Sequence, residues 1–167
     1  MWSDFFILDT HTFKIYDSIV QLPGPWDAVA ADNAFLQTPY LKVLEESAPT
    51  NMQCFYIGIF EKTELIGVAL AQYLNLNQLE SFGERDQCLK TSVRNFVFKN
   101  FASHVLFLGN NMITGQNGYV FNKSIDSKNI SELLVACATE IIHFLKNRTS
   151  PFILYLLKIS INIVLKN

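Results

Sequence analysis

The residues best suited to hold a ligand lie in one short stretch, Gly109-Asn110-Asn111-Met112-Ile113-Thr114-Gly115-Gln116-Asn117-Gly118. Three of the chain's seven glycines fall within it. Glycine reaches positive φ without steric cost, so such a segment can aim backbone N–H groups at a ligand. Asn110, Asn111, Gln116 and Asn117 add carboxamides that both donate and accept hydrogen bonds. The candidate cofactor-binding set is therefore Asn110, Asn111, Gly115, Gln116, Asn117 and Gly118. Neither Lys nor Arg stands between Gly109 and Phe121. Phosphate binding there would need backbone N–H groups, or Arg85, Lys90 and Arg94 brought across by folding. The same stretch also reads as a hairpin loop. Asn117-Gly118 is a type I′ turn signal, and Tyr119-Val120-Phe121 would be the return strand.

Residues for acid–base or nucleophilic chemistry are scattered, and the sequence names no catalytic residue. His104, inside a short apolar run, and His11, near the N-terminus, have no visible partner and read as structural histidines. His143 follows Glu140 by one helical turn, an arrangement expected to be solvated. Glu45 and Glu46 lie near the C-terminal end of an expected helix, where the macrodipole disfavours acids. They read as solvated glutamates, with contact to a substrate amine as the alternative. Cys54, Cys88 and Cys137 are odd in number and far apart, so neither a disulfide framework nor a zinc site is expected. They read as reduced, buried thiols, which suits a cytoplasmic protein.

The elements that would position these residues centre on Gln53 to Leu74. Two runs rich in Ile, Val, Phe and Tyr flank Glu61-Lys62-Thr63-Glu64, the pattern of a β-hairpin. Neither run alternates cleanly between apolar and polar, so both faces should be covered. The hairpin is expected over 53–60 and 65–74, inside a mixed sheet. An earlier strand is expected within Thr12 to Val20. Thr38-Pro39 reads as a hydroxyl cap followed by proline, opening a helix over 39–47. Leu89, Val93, Phe96, Val97 and Phe101 form one stripe of a helix over 85–101, whose basic face is solvated or holds an anion. Ser103 to Leu108 reads as a short strand. Asn129 with Glu132 resembles a capping box that opens a helix over 129–146. Pro151 to Leu157 reads as a further buried strand, a helix–strand step that fits parallel addition to the sheet.

Composition bounds the rest. With 167 residues, half of them hydrophobic and 17% charged, the chain reads as one α/β domain with a real core. A net charge of −2 gives no electrostatic case for nucleic acid, and no stretch reaches the ~20 apolar residues of a membrane span. The N-terminus lacks the basic region of a signal peptide. The final apolar segment would leave an unpaired edge, so the domain is expected to lack its C-terminal strands.

Several stretches together resemble the Fem-like, GNAT-type acyltransferases. They include Asn33-Ala-Phe-Leu-Gln-Thr-Pro-Tyr-Leu-Lys-Val-Leu-Glu45, the hairpin with Gly67 and Gln72, and Gly109-Asn110 with Thr114-Gly115-Gln116-Asn117-Gly118 after a strand. A long helix followed by a hydrophobic strand adds to them. The likeness runs from about Trp26 to Leu157. It implies a mixed sheet with flanking helices that binds an acyl thioester between splayed strands. It also implies an N-acyltransferase activity, moving an acyl group from acyl-CoA as co-substrate to an amine acceptor, without a metal. Backbone N–H groups would polarise the thioester carbonyl. The alternative is a degenerate acyltransferase fold serving as a non-enzymatic binding or interaction module.

Overall fold

A computed structural model describes residues 6–8, 11–75, 104–110, 118–122, 125–146 and 155–159. The expected helix over 85–101, with Cys88, Arg85, Lys90 and Arg94, lies outside the described residues, as does the stretch 111–117.

The described elements form a mixed α/β arrangement around one sheet. Strands β1 (Phe6–Leu8) and β2 (His11–Tyr16) come first. Helices α1 (Trp26–Ala30) and α2 (Thr38–Glu46) follow. Then come β3 (Met52–Glu61), β4 (Glu64–Asn75), β5 (His104–Leu108), β6 (Tyr119–Phe121), α3 (Ser127–Lys146) and β7 (Tyr155–Ile159). The sheet order is β1-β2-β3-β4-β5-β7, with β6 also on β4. All neighbours are antiparallel except β5 and β7, which are parallel.

The expected hairpin is the centre of this sheet. Lys62-Thr63 joins β3 to β4, with Lys62 at φ 57 and Glu61 paired with Glu64. At the far end Asn75 N–H donates to the Asn51 carbonyl at 2.8 Å, and the Asn51 carboxamide donates back to the Asn75 carbonyl at 3.2 Å. The register slips once, because Phe60 pairs with Leu65 but Ile59 pairs with Gly67. Ile66 is the extra residue of a β-bulge, so it and the following odd-numbered residues of β4 share one face.

Both faces of the hairpin are covered, which explains why neither strand alternates. On one face α3 lays Leu133, Leu134, Cys137, Ala138, Ile141 and Leu145 against Phe13, Ile15, Phe55, Ile57, Ala69, Ala71 and Leu106. On the other, Trp26, Val29, Leu36, Leu41 and Leu44 cover Tyr16, Tyr56, Val68 and Leu70. Trp26 anchors that second layer. Its ring lies edge-on to Tyr16 and Tyr56, and its buried indole N–H donates to the Leu36 carbonyl at 2.7 Å.

Three local expectations change. The first long strand ends at Tyr16, and Ile19–Gln21 is a 3-10 turn. The start of α2 is not capped by the Thr38 hydroxyl. Gln37 is the cap residue, and the Asp27 carboxylate accepts from both the Thr38 N–H at 2.7 Å and its hydroxyl at 2.6 Å. A carboxylate at a helix N-terminus meets both its orphan donors and its dipole, so a residue from α1 does the capping. The parallel strand after α3 is described at Tyr155–Ile159 and runs two residues past the expected end at 157, while 151–154 lie outside the described residues.

Candidate functional site

The glycine-rich stretch interrupts a strand. β5 runs along one edge of β4 from Asn75 to Ala71, and β6 runs along the same edge from Ala69 to Gly67. Both are antiparallel to β4, so they point the same way, end to end. Leu70 sits at the junction and bonds to both sides of the break. Its carbonyl accepts from Gly109 N–H at 2.7 Å, and its N–H donates to the Gly118 carbonyl at 2.9 Å. Gly109 and Gly118 therefore both lie against Leu70, one on each side of the junction between β5 and β6. The Asn122 N–H then donates to the Ile66 carbonyl at 2.9 Å, continuing the ladder into the bulge.

This corrects the hairpin reading of Asn117-Gly118. Tyr119–Phe121 does not return along β5. Both edges of β5 are already occupied, by β4 and by β7. A return strand has no edge to pair with, whereas β4 beyond Leu70 offers one.

Two glycines make the neck possible. Gly109 has φ 117, a conformation that side chains rarely adopt. A Cβ on Gly118 would lie inside the van der Waals envelope of the Gly109 Cα and 2.8 Å from its nitrogen. The two backbones pass too closely for any side chain at Gly118. A third glycine, Gly67, faces β6, where an added Cβ would come within 2.5 Å of the Phe121 ring.

Of the six candidate binding residues, Asn110 and Gly118 are described, and the structure brings both to this neck. Asn111, Gly115, Gln116 and Asn117 lie outside the described residues. The Asn110 carboxamide donates to the Tyr40 hydroxyl at 2.7 Å, across seventy positions of sequence. Tyr40 is half-buried and holds the Phe35 ring edge-on, with centroids 5.1 Å apart. The start of α2 thus meets the mouth of the loop. Sequence reasoning placed Tyr40 only within the helix over 39–47 and the stretch that carries the resemblance, with no polar role. Nothing local marks it as a polar contact, because its partner lies far along the chain.

The other end of α2 carries Glu45, which is half-buried and already holds three donors. Its carboxylate accepts from the Ser18 hydroxyl at 3.0 Å, the Ile19 N–H at 3.0 Å and the Tyr56 hydroxyl at 2.8 Å. Glu46 is exposed, 3.9 Å from Lys42. Burial pushes the Tyr56 hydroxyl well above its usual range, and donation to Glu45 adds to the rise. Tyr56 pairs with Leu70, so α2 is tied down on both sides of the Leu70 junction.

Two buried polar pairs complete the inventory. Burial raises the Cys54 thiol to about 11, partly offset by the bond from Gln72, with Glu45 raising it further. The fully buried Gln72 carboxamide donates to its sulfur at 3.9 Å. A thiol held protonated in this way is a poor nucleophile. Burial raises the Cys137 thiol in the α3 core as well. His104 is 3% exposed, lies parallel to the Tyr73 ring and shares a hydrogen bond between the Tyr73 hydroxyl and its Nδ1. Burial lowers its pKa. A neutral imidazole with its proton on Nε2 would accept at Nδ1 from the phenol. His143 is exposed, as expected from its place on α3.

Among the described residues, no three of His, Cys, Asp and Glu come together in a way that could hold a metal ion. No helix among them is long and apolar enough to cross a membrane. No protein-family model, curated protein or solved structure matches the chain.

Proposed function

We propose that this protein binds an acyl thioester at the neck between Gly109 and Gly118 and moves its acyl group to an amine. The supporting observation is the interrupted strand: β5 and β6 share one edge of β4, the glycine-lined break sits between them, and α3 then leads to β7, parallel to β5. The resemblance to GNAT-type acyltransferases implies a long helix followed by a hydrophobic strand, and α3 followed by β7 supports that reading, although β6 stands between the glycine-rich stretch and the helix.

In the reaction, the amine nitrogen attacks the thioester carbonyl carbon. The C–N bond forms, the C–S bond breaks, the amine loses a proton and the departing thiolate gains one. A strand end that fixes the backbone and a carboxamide at one point contributes by positioning and by donating to the developing oxyanion.

A second reading, a binding module without turnover, is favoured by the state of the acid–base groups. The Glu45 carboxylate holds three donors, His104 is paired with Tyr73, and the Cys54 thiol is buried. None of these described groups is posed to take a proton from an amine.

The test is thermal unfolding with and without acetyl-CoA. A ligand at ~100 times its Kd adds roughly 2.7 kcal/mol, a rise of roughly 5–11 °C for a chain of this size. A rise with acetyl-CoA, and acetyl transfer to a panel of amines, is the expected result. A rise without transfer selects the binding module, and no rise removes both readings.

A further inference from the structure

The outer edge of β6 is a stretch of backbone that its neighbours leave open. The Gly118 carbonyl accepts from the Leu70 N–H at 2.9 Å, and the Asn122 N–H donates to the Ile66 carbonyl at 2.9 Å. Antiparallel pairing alternates along a strand. Val120 therefore turns its N–H and carbonyl toward β4, while Tyr119 and Phe121 turn theirs away. Among the described residues, no strand pairs with that outer side. β5 lies in line with β6, and β7 covers its outer side as far as Ile159, which pairs with Leu108. Leu108 pairs with Ala71 and Tyr119 with Ala69, and Gly109 and Gly118 share the place opposite Leu70. The edge that β7 follows thus continues past Leu108 through one place at the neck to Tyr119, Val120 and Phe121.

An open edge is satisfied by another extended segment. One begins where the description of β7 stops. Residues 160–164 read Ser-Ile-Asn-Ile-Val, alternating polar and apolar through Ile163. Ser160 follows Ile159 directly, so no linker is needed. Carrying the β5–β7 register forward sets Ser160 beside the neck, Ile161 beside Tyr119 and Ile163 beside Phe121. Tyr119 and Phe121 pack against the core under α3, whereas Val120 packs on the opposite face. Residues paired across strands share a face, so both isoleucines of the segment fall on the α3 side. A slip of one place would put Ser160 and Asn162 there instead. Register and apolar pattern agree.

We propose that residues 160–164 extend β7 as a parallel strand along the outer edge of β6 and wall off that side of the neck. The Asn162 main chain then lies between Tyr119 and Phe121 and bonds to both. This assignment does not rest on the function proposed above.

The experiment is hydrogen exchange, followed by NMR, on the full chain of wild type and Asn162→Pro. In wild type the Tyr119 and Phe121 amides should exchange roughly 10-fold or more slowly than in an unfolded chain, at a rate independent of protein concentration. Proline at 162 lacks the N–H that bonds to the Tyr119 carbonyl. Asn162→Pro should therefore return both amides toward the unfolded rate and leave those shared by β3 and β4 unchanged. Wild-type amides that exchange as fast as an unfolded chain would overturn the assignment. Protection that survives in Asn162→Pro would overturn it too, because another segment then covers the edge. Protection that fades on dilution assigns the edge to a second copy of the chain and also overturns it. Should Asn162→Pro fail to fold, wild type decides alone. Through-space contacts between the Tyr119 and Phe121 amide protons and the α-protons of 160–164 support the pairing, and their absence overturns it.

Discussion

Gly118 leaves no room for a side chain, because another backbone occupies the place its Cβ would take. A Cβ there meets the Gly109 main chain, which cannot rotate out of the way as a side chain can. Gly118→Ala should therefore destabilise the protein by about 2–3 kcal/mol, at the upper end of overpacking costs. Gly67→Ala, whose Cβ would meet the Phe121 ring instead, should cost less, since a half-buried ring can shift. Chemical denaturation of the two variants gives the comparison. His104 makes a pH prediction. Its folded pKa lies below the ordinary 6.5 because burial disfavours the charged form. The unfolded chain then binds the proton first as pH falls. The contribution to stability is complete above 6.5 and is lost progressively below it, down to the lowered folded value. Unfolding free energies between pH 7.5 and 5 should fall more steeply for wild type than for His104→Asn, which removes the titrating ring. Parallel curves would show that His104 does not titrate on unfolding.

At the scale of elements, α3 is held by its buried stripe. Leu134 and Ile141 are both within 1% of complete burial. Replacing either with alanine should cost about 2–5 kcal/mol, and losses under about 1 kcal/mol for both would mean this face is not core. The 3.6-residue period made this helix legible, with observed bounds within two residues of the expected 129–146. The β3–β4 hairpin was equally legible, because the polar break at Glu61–Glu64 separates two runs of strand-forming residues. Less legible was every feature that depends on a distant partner. Glu45 looked like a solvated helix-end acid, but its three donors come from the β2–α1 connection and from β3. Thr38 looked like a cap, but Asp27 supplies the carboxylate. Asn117-Gly118 carries a sound local turn signal, yet which edge remains open to Tyr119–Phe121 is decided by β7, which comes later in the chain. Local propensity cannot encode that choice.

At the scale of the whole molecule, the division of β4 between a near partner and far ones sets an order of assembly. On one edge β4 meets β3 through a two-residue connection, so that pairing closes almost no loop. On its other edge it meets β5 and β6, whose residues lie tens of positions downstream. Closing a longer loop costs more entropy before any contact repays it. The hairpin should therefore be formed in the folding transition state, with the interrupted strand joining afterwards. Conservative truncations read this out in stopped-flow kinetics. Ile57→Val, in the hairpin, should slow folding, while Leu106→Ala, in β5, should chiefly speed unfolding. The neck at Gly109 and Gly118 would then be the last piece of backbone to be drawn together, and among the first to part. A protein built this way opens at its candidate site long before it loses its centre, so hydrogen exchange at the Leu70 amide should report local opening at lower free energy than exchange at the amides shared by β3 and β4.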